Sequence, residues 1–225
     1  MELRVNLYFF VENTIIRGLS RRPSLEVLMI KLYSDPRSPD SHRTRIVLAE
    51  KELPVKVIEL EPDNLPADFL ELNPYGKLPT VIDRDIVFFE PSVVNEYLDE
   101  RYPHPALKPG SPAERAQMRL AVLRIEEELY PLYEDIAAGR DAEEARKKLH
   151  DYLKTLDAYL SRQEYFIGDQ YTLADVTIAP ILYRLQPMGV DTSGWANLEA
   201  YMDRLFERPA FERSLSEYEQ MLHEF

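Results

Sequence analysis

The chain has no cysteine. Disulfides, zinc–thiolate sites and thiol redox chemistry are therefore excluded. Histidine is scarce as well, with only His42, His104, His150 and His223. None pair at helical metal-ligand spacing, so no metal site is expected. No apolar run reaches membrane-spanning length, so no membrane partner is expected either. Positive charge is in deficit: 27 Lys and Arg against 40 Asp and Glu leave a formal net charge of −13. An acidic surface repels phosphate backbones, which disfavours direct nucleic-acid binding. What is present is 225 residues, 45% hydrophobic and 30% charged, a globular composition long enough for one large or two small domains.

Residues 3–11 are apolar and aromatic, and Arg17, Arg21 and Arg22 come after them. A signal peptide carries its positive charge ahead of the apolar core, the reverse of this order. Met29-Ile-Lys-Leu-Tyr33 then begins a clean strand. Residues 1–28 are read as an N-terminal extension outside the fold, with Met29 as the natural start.

Residues 29–105 alternate strand and helix. Residues 30–33 read as a strand from their β-branched and aromatic content. Asp35-Pro36-Arg37-Ser38-Pro39-Asp40 is a turn cluster. A helix over 43–51 follows, capped by Asp40 or Ser41, with Ile46, Val47 and Leu48 as its apolar face. A second strand over 55–60 completes a parallel βαβ unit. A short helix over 64–72 leads to Leu78-Pro79-Thr80-Val81. A proline directly ahead of a β-rich run cannot donate a ladder hydrogen bond, so it starts the strand or sits in a turn. Two readings of Pro79 stand: an ordinary turn, or a cis bond that aims the neighbouring backbone at a ligand, as in thioredoxin-like domains. Strands over 80–83 and 86–89 pair across Asp83-Arg84-Asp85. Pro91 fits the first position of a closing helix over 92–101, with Val93, Val94, Tyr97 and Leu98 on one face.

Residues 106–112 are the linker, and 113–225 read as all-helical. A helix over 113–136 carries an apolar stripe through Ala116, Leu120 and Leu123. A second over 142–160 carries Leu149, Leu153, Leu156 and Leu160. Both stripes read as core packing. Thr172 and Asp175 have the spacing of a capping box, with Tyr171 placed to staple the helix start. The helix over 176–185 is apolar nearly all round, so it should be buried, with its terminal N–H groups satisfied internally. Thr172 and Asp175 thus have a structural role. A helix over 195–207 and a shorter helical stretch from 208 onward close the chain. The fold class is an α/β thioredoxin-like N-terminal domain plus an all-α C-terminal domain.

This layout, with its pivot proline and its buried helix opening Thr-Leu-Ala-Asp, resembles the glutathione-transferase superfamily. Three blocks are similar, within it, to the branch of bacterial stringent starvation proteins associated with RNA polymerase. They are Ser41-His42 with Arg45-Ile-Val-Leu-Ala-Glu-Lys51, Glu96-Tyr-Leu-Asp-Glu-Arg-Tyr-Pro-His-Pro105, and Tyr201-Met202 with Arg204 and Phe206-Glu-Arg208. The resemblance implies that active members hold glutathione with a hydroxyl or thiol after the first strand, the backbone beside the pivot proline, and a Glu/Gln-Ser pair at a helix N-terminus. Leu78, Pro79 and Glu90 keep part of that pattern, but Pro91 stands at the serine. Proline offers neither hydroxyl nor N–H. Two lost bonds to a charged group, roughly 1.5–3 kcal/mol each, cost on the order of 100-fold or more in affinity.

The glutathione site therefore reads as vestigial, and no cofactor is expected. The alternative is a glutathione-dependent transferase or peroxidase using Ser38 as its thiol-activating hydroxyl. Ser38 also reads, more simply, as a turn serine between two prolines. The starvation-protein branch implies a cytoplasmic, non-enzymatic homodimer, with the first domain of one chain against the helices of the other. It implies binding to RNA polymerase holoenzyme and its sigma factor, adjusting transcription in starvation and stationary-phase stress. Its contact segment would be Tyr102, Pro103, His104 and Pro105. Two prolines stiffen that segment, which limits the entropy lost on docking. Tyr102 and His104 add aromatic groups with polar tips. Ala106 departs from the family, where a further proline is common. Without the family, the segment reads as a helix stop.

Deleting residues 1–28 is expected to leave the melting temperature and partner binding unchanged. A large fall in melting temperature on thermal denaturation would refute this reading of the extension.

Overall fold

The structure is a computed structural model, described here for residues 29–223; the expected extension over 1–28 lies outside the described residues. β1 (Ile30–Ser34) pairs in parallel with β2 (Val55–Glu59), Leu32 opposite Val57, and α1 (Pro39–Glu50) makes the crossover between them. β3 (Thr80–Asp83) runs antiparallel to β1, Leu32 opposite Val81, and β4 (Ile86–Phe88) runs antiparallel to β3. The sheet order is β2-β1-β3-β4. α2 (Ala67–Leu72) precedes β3, and α3 (Pro91–Arg101) follows β4 with Pro91 at its first position. The helical half comprises α4 (Pro112–Arg124), a π-helical turn (Ile125–Leu129), α5 (Tyr130–Ala137), α6 (Ala142–Leu160), α7 (Leu173–Tyr183), α8 (Ala196–Phe206), α9 (Pro209–Ser214) and α10 (Glu217–Met221). Among the described residues, no helix is long and apolar enough to cross a membrane.

α1 corrects two expectations. It starts at Pro39, because Ser38 is the cap: its Oγ accepts the N–H groups of Asp40 (3.2 Å) and Ser41 (3.4 Å). Ser41 instead accepts the N–H of Asp35 at 3.0 Å. The helix also lacks a single apolar face. Every residue of it except Asp40 and Ala49 is buried, because it packs against α3 in its own half and against α7 and α9 of the helical half.

The expected stripe on α4 is reversed. Ala116, Leu120 and Leu123 face outward, Leu120 being 58% exposed, while Met118, Ile125 and Leu129 are buried. The segment carries a second apolar line through Met118, Val122, Ile125 and Leu129, and periodicity cannot choose between two stripes on one helix. The expected continuous helix over 113–136 is also interrupted. Pro131 has no N–H to donate, and the preceding turn widens so that the Tyr130 N–H reaches the Ile125 carbonyl. On α3, Val93 is exposed, and Asn95 and Asp99 join Val94 and Leu98 in the buried set.

α7 is buried from Leu173 to Leu182. The Thr172–Asp175 capping box closes its start. Asp175 Oδ2 accepts the Thr172 N–H at 2.7 Å, and Oδ1 accepts the Phe166 N–H at 2.8 Å and the Tyr201 hydroxyl at 2.7 Å. Burial still pushes this carboxyl above the usual carboxylate range, against those hydrogen bonds.

In place of one helical stretch from 208, the tail forms α9 and α10, and α10 supplies Glu219, which is fully buried. Glu219 Oε2 accepts from Arg45 Nη2 at 2.6 Å and from the Ser216 N–H at 2.9 Å, while Oε1 accepts from Arg184. Arg45 also donates to the Ser214 carbonyl (2.8 Å) and to Ser34 Oγ (2.6 Å). His42 completes the cluster. Ser214 gives its only hydroxyl hydrogen to the Phe211 carbonyl (2.6 Å), so His42 Nε2 donates to Ser214 Oγ (3.0 Å). His42 Nδ1 then accepts from Arg184 (3.2 Å). The imidazole is neutral, held well below its ordinary pKa by burial and by Arg45 and Arg184. Replacing Glu219 by alanine leaves two buried guanidiniums uncompensated. The expected loss is about 3–5 kcal/mol of stability, measured by urea denaturation.

Candidate functional site

Two places in the fold answer to the residues singled out from sequence. The first surrounds the pivot proline. The Leu78–Pro79 bond is cis, and β3 pairing starts one residue later, at Thr80. Buried Asn73, which sequence reasoning missed, shapes the loop that delivers it. Its Nδ2 donates to the Lys77 carbonyl (3.1 Å) and to Thr80 Oγ1 (2.9 Å), and its Oδ1 accepts the Tyr75 N–H (3.1 Å). Short polar side chains that close a turn this way are common, and nothing local distinguishes this one.

Glu90 is the N-cap of α3 but makes no side-chain cap hydrogen bond; its carboxylate pairs with Lys77 at the surface. Pro91 follows as N1, so the first turn of α3 lacks the hydroxyl and N–H that a serine would present. Ser92 does not replace them. Its hydroxyl is committed to Glu126 Oε1, which also accepts from Arg43 Nη1 at 2.6 Å. Glu126 lies on the π-helical turn, and Arg43 continues to Asp40, 2.5 Å away. Burial raises the Asp40 pKa, and Arg43 opposes that rise. Ser38 accepts two N–H groups as the cap of α1.

The second place is Tyr102-Pro103-His104-Pro105, where α3 ends. Pro103 to Ala106 are exposed and Tyr102 is half-buried. The His104–Pro105 bond is cis. Beneath the segment lies a buried ion pair, Lys51 Nζ to Asp99 Oδ1 at 2.6 Å. Lys51 also donates to the Pro105 carbonyl, and Asp99 Oδ1 accepts the Leu107 N–H at 2.8 Å. Leu107 is buried, and its carbonyl accepts the Leu173 N–H at 2.9 Å. The linker is thus pinned to the start of α7. Tyr102 leans toward Asp83, 3.5 Å from its hydroxyl, and Tyr97 donates to the same carboxylate at 2.8 Å. Burial, then the Asp83 hydrogen bond, pushes the Tyr97 phenol up to about 12. His104 and Pro105 form one wall of a shallow depression of about 410 Å³, with Arg208 and Arg213 across it. Arg208 is fixed there by a two-pronged pair with Glu50 (2.7 and 3.0 Å) and by the Tyr171 ring, 3.7 Å from its guanidinium.

Sequence reasoning named the exposed residues of this second place as its contact segment, while Lys51 and Asp99, which anchor it, fell within the resemblance blocks without a role. Their pairing spans 48 positions. The local trace in sequence is a charge on the buried side of α3, beside Val94 and Leu98.

Two family models match the chain: the glutathione S-transferase N-terminal domain over residues 37–101 and the glutathione S-transferase C-terminal domain over residues 120–209. A stringent starvation protein A homologue of Pasteurella multocida (strain Pm70) is 42% identical over 83% of this chain and 90% of its own length. A maleylacetoacetate isomerase of Pseudomonas aeruginosa is 30% identical over 82% of this chain and 95% of its own length. Among solved structures, glutathione transferase Omega 3C from Trametes versicolor superposes with a TM-score of 0.75 at 25% identity, covering 87% of this chain and 91% of that one.

The Pro91→Ser variant returns one N–H and one hydroxyl to the start of α3. Calorimetric titration with glutathione is expected to show affinity raised on the order of 100-fold over the parent. Equal affinities would refute the reading that Pro91 costs this chain affinity for glutathione.

Proposed function

The chain belongs to the stringent starvation protein A family of the glutathione S-transferase superfamily, and from that premise we propose that it is a non-enzymatic adaptor of transcription. It binds RNA polymerase holoenzyme, with its sigma factor, through Tyr102, Pro103, His104 and Pro105, and it acts in starvation and stationary-phase stress. The observation that carries this reading is the mounting of that segment. Pro103, His104 and Pro105 stand exposed, with Tyr102 half-buried, on a base clamped by the buried Lys51–Asp99 pair. A surface held in one shape before binding loses little conformational entropy when a partner docks. The acidic body, at −13, suits docking on basic protein surfaces rather than on nucleic acid.

The proposal includes a cytoplasmic homodimer. Exposed Val93 on α3 and exposed Leu120 and Leu123 on α4 offer an apolar face for a second copy.

A second reading is a glutathione-dependent transferase using Ser38. Two features favour it. As cap, Ser38 only accepts hydrogen bonds, so its own hydrogen stays available to a thiolate. The cis Leu78–Pro79 bond is also kept. Retention on immobilised glutathione with turnover of a chromogenic electrophile would support this reading.

The deciding experiment is co-purification. RNA polymerase is expected to accompany the tagged protein and to be lost with His104→Ala, while the circular dichroism spectrum and melting temperature stay unchanged. Undiminished polymerase recovery with the folded variant would overturn the assigned surface.

A further inference from the structure

The depression beside His104 and Pro105 does not end at Arg213. Glu52 and Arg213 also line a second hollow, of about 540 Å³, so the two share a rim. The second hollow lies where the end of α1 and α9 meet β2. Leu32, Leu48, Leu53, Val55 and Val57 make its apolar part. Val57, opposite Leu32 in the parallel register, is 47% exposed. A groove thus runs from the Pro-His-Pro turn to the open edge of the sheet.

That edge is β2, the outermost strand in the order β2-β1-β3-β4. The Leu60 N–H donates to the Ser34 carbonyl at 2.9 Å. In a parallel ladder, alternate residues of a strand turn both backbone groups to the same neighbour. Lys56, Ile58 and Leu60 therefore face β1, and Val55, Val57 and Glu59 turn their N–H and C=O groups outward. None of these outward groups has a backbone partner among the described residues. Edge strands are commonly guarded by a charged side chain. The lysine of this strand, Lys56, points to the opposite sheet face from Val55 and Val57, so it does not guard the groove.

Charge narrows the occupant. Glu59 is exposed on the groove face, and Glu52, 81% exposed on the shared rim, comes only within 3.9 Å of Arg213. Arg45, which lines the hollow, is committed to Glu219, and Arg213 donates to the Ala49 carbonyl. Two exposed carboxylates against one exposed guanidinium leave the rim net negative. An extended segment with aliphatic side chains two residues apart, and Lys or Arg beside them, matches edge, hollow and rim together.

We propose that this groove receives an extended basic and aliphatic segment of the polymerase holoenzyme, which adds to the outer edge of β2 as a further strand. The inference rests on the polymerase reading and lengthens its contact surface from the Pro-His-Pro turn to the sheet edge. Backbone pairing with Val55, Val57 and Glu59 holds the segment, and its aliphatic side chains pack on Leu53 and Val57.

Hydrogen exchange of the full-length protein, free and bound to RNA polymerase holoenzyme, reads the edge directly. The Val55, Val57 and Glu59 amides are expected to exchange freely in the free protein and about tenfold or more slower in the complex. Val57→Lys puts a cation into the hollow and is expected to lower polymerase recovery about tenfold at unchanged melting temperature. Val57→Pro removes only an outward N–H, which an edge strand tolerates. It is expected to act the same way and serves if Val57→Lys does not fold. Full recovery with the folded variants, or unchanged exchange in a complex that His104→Ala abolishes, would overturn the groove and leave the polymerase reading standing. Failure of the parent protein to recover polymerase would overturn both. Slow exchange already present in the free protein would also overturn the groove. It would assign the edge to a second copy if dilution removes the protection, or to residues 1–28 if their deletion does.

Discussion

Glu219 has no exposed surface, and it lies between two guanidinium groups, Arg45 from the sheet half and Arg184 from the helical half. Desolvating three charged groups is costly, and their mutual attraction offsets that cost only with good geometry and further hydrogen bonds. Here most of the remaining donors find Ser34, Ser214 and Pro180, Arg184 Nε alone lacking a partner among the described residues, and neutral His42 fills the space between. The cluster fixes where the tail lies against α1. Because α1 is also the crossover of the parallel pair, the sheet, the helical bundle and the tail share one junction. The same helix presents Ser38 at its start, and Lys51 immediately follows its last residue. Both candidate sites thus take their positions from it.

The two candidate sites differ in how much of their chemistry remains open to a ligand. Around Pro79 the bond is cis, and the polar side chains nearby pair with one another: Lys77 with Glu90, and Ser92 with Glu126. At Pro103 to Pro105 the residues are exposed, Tyr102 leans back onto Asp83, and the support lies below. Exposed polar groups satisfied by neighbours make a closed surface, whereas exposed groups on a rigid base make one suited to recognition.

Local signals were the legible ones. The Thr172–Asp175 cap, Pro91 at a helix start and the strand content of 30–33 each depend on a few neighbouring residues, and periodicity or capping chemistry reads them directly. The stripe on α4 was misread because Leu120 and Leu123 form one apolar line and Met118, Ile125 and Leu129 form another. Tertiary packing chose the second. The Arg45–Glu219 pair is 174 positions apart, and no window of sequence contains both partners. The burial of His42 and Arg45 on α1 went unread for the same reason. Their partners lie in the tail, where the one local signal, the capping-box spacing of Ser216 and Glu219, went unread.

The anchoring of the Pro-His-Pro turn uses main-chain atoms alone. Lys51 grips the carbonyl of Pro105, and Asp99 grips the amide of Leu107. The side chains between them carry none of that load, and any residue supplies the same carbonyl and nearly any the same amide. The letters at 104 and 106 are therefore free to drift while the mount stays constant, whereas the two prolines that stiffen the turn are not. Divergence among descendants of this scaffold would then change whom the turn greets long before it changed how the protein folds.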